Sequence, residues 1–516
     1  MKSLLFLFIM ILPALAFGQK QVKNDWPSLA NSPWPVLRGD MQGTGRSEYI
    51  GPRTNRVKWV RDMPLGVIWS PVIGYNDNLY MGERSITSDT INFFFALDRN
   101  SKDIWKFKTP TYLPNNSGPI LTRDSSIYFI SANEHLYLID KNGKLKWSVY
   151  IPNIMSYIQY PLDKNGNLYI ARKDTLRIIS PEGNIKKIYI PSISAPLSFS
   201  FGGDTIYAVT GGPIGQGLPG AIKAMDLNGD IFWSYDLGGV GAGIPLIDNQ
   251  NNIYFFGSDT LFVQQDYLYC LKPDGTLNWK FHIGYYDVMN APAMDHNGNL
   301  AFYTTATIDS VYRSVIISLD HNGNKRWITP LDGEYHLNIM SYGAVCDAEG
   351  KIYCGSIMEG GYFYCLDSNG VILWKTIFPY EYDSCPAIGS DGTLYIGTHT
   401  SSFFANHVQN LIAIGDSITD VKDEKADVVK DYQLYQNYPN PFNPSTTINY
   451  SLPKQGIVKL TVYNIIGSKV ATIVNEYKSA GNYSVQFNDS NLASGIYLYR
   501  LESGNYSATK KFILLK

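Results

Sequence analysis

Charge is scarce in this chain of 516 residues: Asp, Glu, Lys and Arg make up 17%, and the formal net charge is -2. No basic field is present to draw nucleic acid, and no charged surface to hold a bilayer. Cysteine is rarer still, with Cys270, Cys346, Cys354, Cys365 and Cys385. An odd count leaves at least one thiol unpaired even in an oxidising compartment, and none are adjacent or spaced as CxxC. The seven histidines show no HxH or HExxH spacing, which gives metal catalysis no support. Long apolar runs are missing beyond the first sixteen residues, so no transmembrane segment is expected in the mature chain.

The one unbroken apolar run is Leu4 to Leu12, preceded by Lys2 and followed by Pro13, Ala14 and Ala16. It is too short to span a bilayer and reads as a secretory signal peptide over residues 1–18. Cleavage is expected after Ala16, or after Gly18 to leave Gln19 first. No cysteine lies near that point to carry a lipid.

What the chain has is aromatic residues and turn formers: 14% aromatic with 38 Tyr, 45 Gly and 27 Pro. This mixture favours many short strands over helices. One pattern recurs: a Pro, a short apolar run, a polar turn, an apolar-Tyr pair, a strand ending Leu-Asp, an Asn-Gly turn, then a Trp. Its copies begin at Pro71, Pro119, Pro161, Pro196, Pro245, Pro292, Ala344 and Pro386, at a period of roughly 45 residues. Tryptophan closes most copies, at Trp105, Trp147, Trp233, Trp279, Trp327 and Trp374; the third copy aligns Lys187 there. The eighth copy stops before any Trp, and an orphan strand with Trp59 lies upstream of the first. The pattern therefore predicts an all-β, eight-bladed β-propeller over residues 19–415, its N-terminal strand closing the last blade. The recurring tryptophans are blade-packing residues in this reading. Cys270 and Cys365 share a repeat position held elsewhere by Ala96, Ile139 or Ala224, as small buried residues.

These repeats resemble the pyrroloquinoline-quinone-type family, over roughly residues 33–415. The opening Trp34 to Ser47 is similar to the segment that often precedes its first blade. The family includes quinoprotein dehydrogenases and non-enzymatic propellers, among them an outer-membrane assembly lipoprotein. The dehydrogenases hold the quinone between a Trp and an adjacent-cysteine disulfide, and Ca²⁺ by Glu, Asn and Asp. This chain has no Cys-Cys pair, and its tryptophans fall at the repeat's structural position.

Residues 434–516 carry a second resemblance. Tyr435 to Tyr450, Val462 to Gly467, Ala480 to Tyr483, Leu492 to Tyr497 and Lys510 to Lys516 are similar to the type IX secretion sorting domain. The marker positions are Gly481, Tyr483, Gly495, Tyr497 and Lys511. In that family the tag is a small Ig-like β-sandwich read by an outer-membrane machine. Strand alternation at 458–463 and 483–487 agrees. Residues 416–433, rich in Asp, Lys and Val, read as a solvated linker.

Several motif mimics reduce to loops. Gly215 to Gly220 fits GxGxxG but leads into a strand rather than a helix. Gly238 to Gly243 is a similar connection. Ser417 sits in a GDS-like block, with no later His to serve it. Arg38-Gly-Asp40 lies inside the opening motif, and the DxNG turns lack the further oxygens of a Ca²⁺ loop.

The expectation is an exported binding propeller, on the cell surface or released, that is not an enzyme and carries no cofactor. Its partners are the type IX machinery and a surface ligand, glycan or protein. Tyr285, Tyr286, Tyr380 and Tyr382 are candidates to stack on sugars. The competing expectation is an enzyme using the channel, quinone-dependent with PQQ and Ca²⁺, or hydrolytic.

Overall fold

The computed structural model describes residues 20–63, 71–82, 92–109, 118–131, 134–152, 154, 160–172, 174–191, 193, 196–210, 219–239, 241–260, 266–284, 291–331, 343–355, 362–377, 384–398, 410–416, 432–437, 440–443, 445–454, 456–478, 481–488, 492–504 and 506–515. The signal-peptide and most linker positions thus lie outside the described residues. The chain divides into two units, Met1–Ser417 and Ile418–Lys516.

The first unit is a β-propeller. Among the described residues it holds eight successive antiparallel sheets, seven of four strands and one, the third, of three. The first sheet runs Val72–Ile73, Leu79–Gly82, Asn92–Leu97 and Asp103–Thr109, each strand beside the next. The eighth runs Ala387–Ile388, Leu394–Thr398 and Asn410–Ile414, and its fourth strand is Val57–Asp62 from the other end of the unit. Val72–Ile73 also lies against Ala387–Ile388, so the succession of sheets returns on itself. Asp77 of the first sheet reinforces that seam by accepting the Ser390 N–H at 2.7 Å and its hydroxyl at 2.5 Å.

Burial explains the sequence pattern strand by strand. Second strands such as Ile127–Ile130 are buried throughout, because sheets cover both their faces, and so read as continuous apolar runs. Outer strands such as Leu145–Tyr150 alternate, with one face half-buried and the other in water.

The first turn of several sheets is built on one Asp. Asp163 takes the Asn165 and Asn167 N–H groups at 2.9 and 2.8 Å, the Asn167 side chain at 2.7 Å and the Tyr169 hydroxyl at 3.3 Å. Asp248 does the same with Gln250, Asn252 and Tyr254, and Asp347 with Glu349, Lys351 and Tyr353. These carboxylates are filled by donors from their own turns and the strand that follows, with the Gly51 N–H added at Asp347 at 3.0 Å.

The second unit packs two sheets over one core. Gln433–Leu434, Ser445–Leu452 and Gly481–Asn488 form one sheet; Lys469–Lys478, Gly456–Asn464, Gly495–Ser503 and Tyr506–Leu514 form the other. Ile448, Tyr450 and Phe487 of the first meet Val458, Leu460, Tyr499 and Phe512 of the second.

Candidate functional site

The propeller has a turn end, where first strands pass into second strands, and an opposite end where the longer connections run. Most of those connections lie outside the described residues, including Tyr285, Tyr286, Tyr380, Tyr382 and most of Gly215 to Gly220. Ser417 lies outside them as well.

The inner edge of each sheet is a short first strand whose N–H groups face the axis and need acceptors. Residues 34–45 supply them in order. The Trp34 carbonyl accepts from Ile73 at 2.7 Å, Pro35 from Leu121 at 2.8 Å, and Met41 from Phe199 at 3.4 Å. Gln42 then accepts from Ile247 at 3.0 Å, Thr44 from Met294 at 2.9 Å and Gly45 from Cys346 at 2.8 Å. The third sheet receives only the Met41 sulfur, 3.3 Å from the Leu162 nitrogen. One irregular segment thus serves the inner edges of seven sheets.

Arg38 stands at the middle of this segment, 1% exposed. Its Nε donates to the Gly43 carbonyl at 2.9 Å and its Nη2 to the Pro292 carbonyl at 2.6 Å. Burial pushes its guanidinium below the ordinary value, while Cys385, Asp40 and Cys346 work the other way. A buried Arg38 cannot present an Arg-Gly-Asp tripeptide to another protein. Gly45 has φ +65, and a Cβ there would meet the Arg38 Nη2 at 2.7 Å, so glycine is required. A shallow pocket, lined by Trp26, Asp40, Gln42 and Arg123 among others, opens on this segment.

Six blade tryptophans bond to a turn of the neighbouring sheet, and Trp374 bonds to the segment that leads into Val57–Asp62. The indole N–H of Trp105 donates to Lys141 O at 2.8 Å, Trp147 to Pro181 O at 2.9 Å and Trp233 to Pro273 O at 3.0 Å. Trp279 donates to His321 O and Trp327 to Ser368 O, both at 3.0 Å; Trp374 reaches Pro52 O at 3.3 Å and Trp59 reaches Arg99 O at 2.9 Å. Every one of these tryptophans follows a register shift in its strand, opposite Ala96, Leu138, Ala224, Cys270, Ser318, Cys365 or Ala413. The third sheet has no such shift, so Lys186 rather than Lys187 stands opposite Ile178. Lys186 reaches Asn228 in the fourth sheet's turn at 3.2 Å.

All five cysteines are buried and free. Cys270 and Cys365, opposite Trp279 and Trp374, are pushed up to about 12 by burial. Among the described residues no group of three or more His, Cys, Asp or Glu could hold a metal ion. The glycines at 238 and 239 admit a neighbouring loop: Gly239 N donates to Ser258 O at 2.8 Å, and a Cβ on Gly238 would strike Asp259 O.

In the second unit Gly481 faces Leu452 across the sheet, and Tyr483 stacks on Tyr450 at 5.3 Å. Gly495 opens its strand opposite Leu514, and Tyr497 bonds Ala493 O at 2.9 Å and stacks on Phe512 at 5.5 Å. Lys511 is exposed, and its carbonyl accepts from Gln436 at 2.8 Å. Sequence reasoning missed Asn437, whose N–H donates to the Tyr499 hydroxyl at 2.9 Å while its amide donates to Thr446 at 2.9 Å. The buried Asn437 and Tyr499 lock the opening motif onto the sandwich.

Residues 436–515 match the family described as secretion system C-terminal sorting domain. This segment is a sorting domain of that kind. A type IX sorting domain at the C-terminus directs the chain to the cell surface or beyond, through the secretion machinery. A comparison with curated proteins returned no match. Among solved structures, BamB from Moraxella catarrhalis is similar at 13% identity, covering 70% of this chain and 99% of that one, with a TM-score of 0.49. The C-terminal WD40 domain of Sif2 matches at 13% identity, over 70% of this chain and 100% of the other, at 0.48. PorZ, a surface component of the type-IX secretion system of Porphyromonas gingivalis, matches at 12% identity over 90% and 86%, at 0.19. No described helix of the chain is long and apolar enough to cross a membrane.

Proposed function

We propose that the chain carries an eight-bladed binding propeller outside the cell, where it holds a ligand, glycan or protein without turning it over. Residues 1–18 act as the signal peptide, cut after Ala16 or Gly18, and the sorting domain delivers the propeller across the outer membrane. The observation that carries this reading is the filling of the turn end by residues 34–45. With that end occupied by the chain itself, ligand is taken at the connection end. The engagement of Trp59, Trp105, Trp147, Trp233, Trp279 and Trp327 with turns of neighbouring sheets, and of Trp374 with Pro52, supports packing roles for them rather than quinone stacking.

Reconstitution of the mature chain with pyrroloquinoline quinone and Ca²⁺ tests it, followed by absorbance and dye reduction. No bound quinone is expected; one quinone per chain, with dye reduction, overturns the reading in favour of a dehydrogenase.

A further inference from the structure

Two deeply buried arginines in the propeller are treated differently. Arg38 has short bonds to carbonyls, as above. Arg177 is 7% exposed, yet its Nη atoms lie 3.4 and 3.5 Å from the Arg172 and Pro152 carbonyls, at the edge of bonding range. Its buried Nε has no acceptor among the described residues.

The register of the third sheet puts more positive charge beside it. Arg177 pairs with Ile170 and Lys187, while Thr175 pairs with Arg172 and Tyr189. Directly paired residues share a face, so Arg172, Arg177 and Lys187 lie together on one side, with Tyr189, 73% exposed, at the outer end. The buried Tyr160 hydroxyl is within electrostatic reach of both arginines. Residues 151–198 contain three acids: Asp163 and Glu182 belong to turn-end turns, which leaves Asp174 beside Arg172. Within residues 151–198, Asp174 is thus the one acid outside the turn-end turns, against the three cations of this face. Like charges set directly opposite on a sheet are destabilising, and a buried cation needs a counter-charge.

We propose that this face of the third sheet binds an oxyanion, a phosphate or sulfate group, gripped by Arg177 and Arg172 with Lys187 and the Tyr160 hydroxyl. Guanidinium groups match the tetrahedral oxyanion through paired N–H donors. Lys187 and Tyr189 reach solvent, so the group can belong to a free ion or to a larger molecule. The site does not depend on what the connection end binds.

The test is calorimetric titration and thermal unfolding of the full mature chain with inorganic phosphate and with sulfate, against chloride at equal ionic strength. One anion per chain is expected, with binding at least tenfold weaker in Arg177→Met and about threefold weaker in Lys187→Met. Lys187 is exposed, so its variant keeps the test valid should Arg177→Met fail to fold. Equal stabilisation by chloride, or phosphate binding unchanged in Lys187→Met and in any folded Arg177→Met, overturns the site. Competition by a sulfated oligosaccharide supports it and assigns the group to a glycan; binding of phosphate without that competition supports it as a site for a free ion.

Discussion

The third sheet and its neighbours answer the same packing problem in two ways. Elsewhere a register shift lifts a tryptophan against the next sheet, where five of the seven rings cover a turn glycine and six of the seven N–H groups reach a turn carbonyl. Gly323 shows the fit, since a Cβ there would sit 2.6 Å from the Trp279 ring. The third sheet lacks the shift and the tryptophan, and its inner strand is reduced to the single bridge between Leu162 and Leu168. In their place Gly229 meets Ile188 and Ile190, and Lys186 reaches Asn228. Even the axial segment gives this sheet a sulfur where six others receive a carbonyl. The repeat therefore tolerates a unit held by aliphatic contact and one flexible ammonium, provided both neighbours are complete.

That contrast can be broken experimentally. Trp279→Ala should cost about 3 kcal/mol or more in urea unfolding, from lost packing plus the cavity left behind. A loss below 1 kcal/mol would mean the ring contact is incidental. Gly323→Ala should cost about 2 kcal/mol, because its φ of +81 disfavours a side chain and the ring blocks the new Cβ. Gly229→Ala, at φ +92 but against movable Ile188 and Ile190 side chains, should cost less by the same assay. Equal losses at the two glycines would erase the distinction drawn here.

Acid sharpens the comparison at the eighth sheet, whose fourth strand comes from the N-terminus. Burial works upward on Asp391, but bonds from Thr393 and Lys58 hold its carboxyl below the ordinary range. Its contribution is complete above the unfolded value near ~4 and is lost as pH falls through the folded one. Lys58 lies 3.1 Å from that carboxylate, so Lys58→Met should flatten the fall of the unfolding midpoint below about pH 4. An unchanged acid profile would show that the pair contributes nothing to closure. The smallest effect belongs to Lys186→Ala, below about 1 kcal/mol, since a single exposed polar contact is weak. A loss matching Trp279→Ala would make the lysine a true substitute for the indole.

Much of this was legible beforehand. The Asp-x-x-Gly turns, the apolar-Tyr strands and the orphan strand at Trp59 each announce themselves locally, and the sorting domain is written in the order and spacing of its motifs. Lys187 was misplaced because an alignment of letters cannot see a missing register shift. Asn437 escaped notice because its partner Tyr499 comes from a strand 62 residues away.

Local chemistry in each unit of about 45 residues thus set the strands, their turns and their repetition without reference to the rest of the chain. Only the folded ring decided which carbonyls meet the inner strands and which arginine is left short of acceptors. Arg38 meets Pro292 across 254 residues of sequence, and such a pair exists only once distant sheets have been brought around one axis.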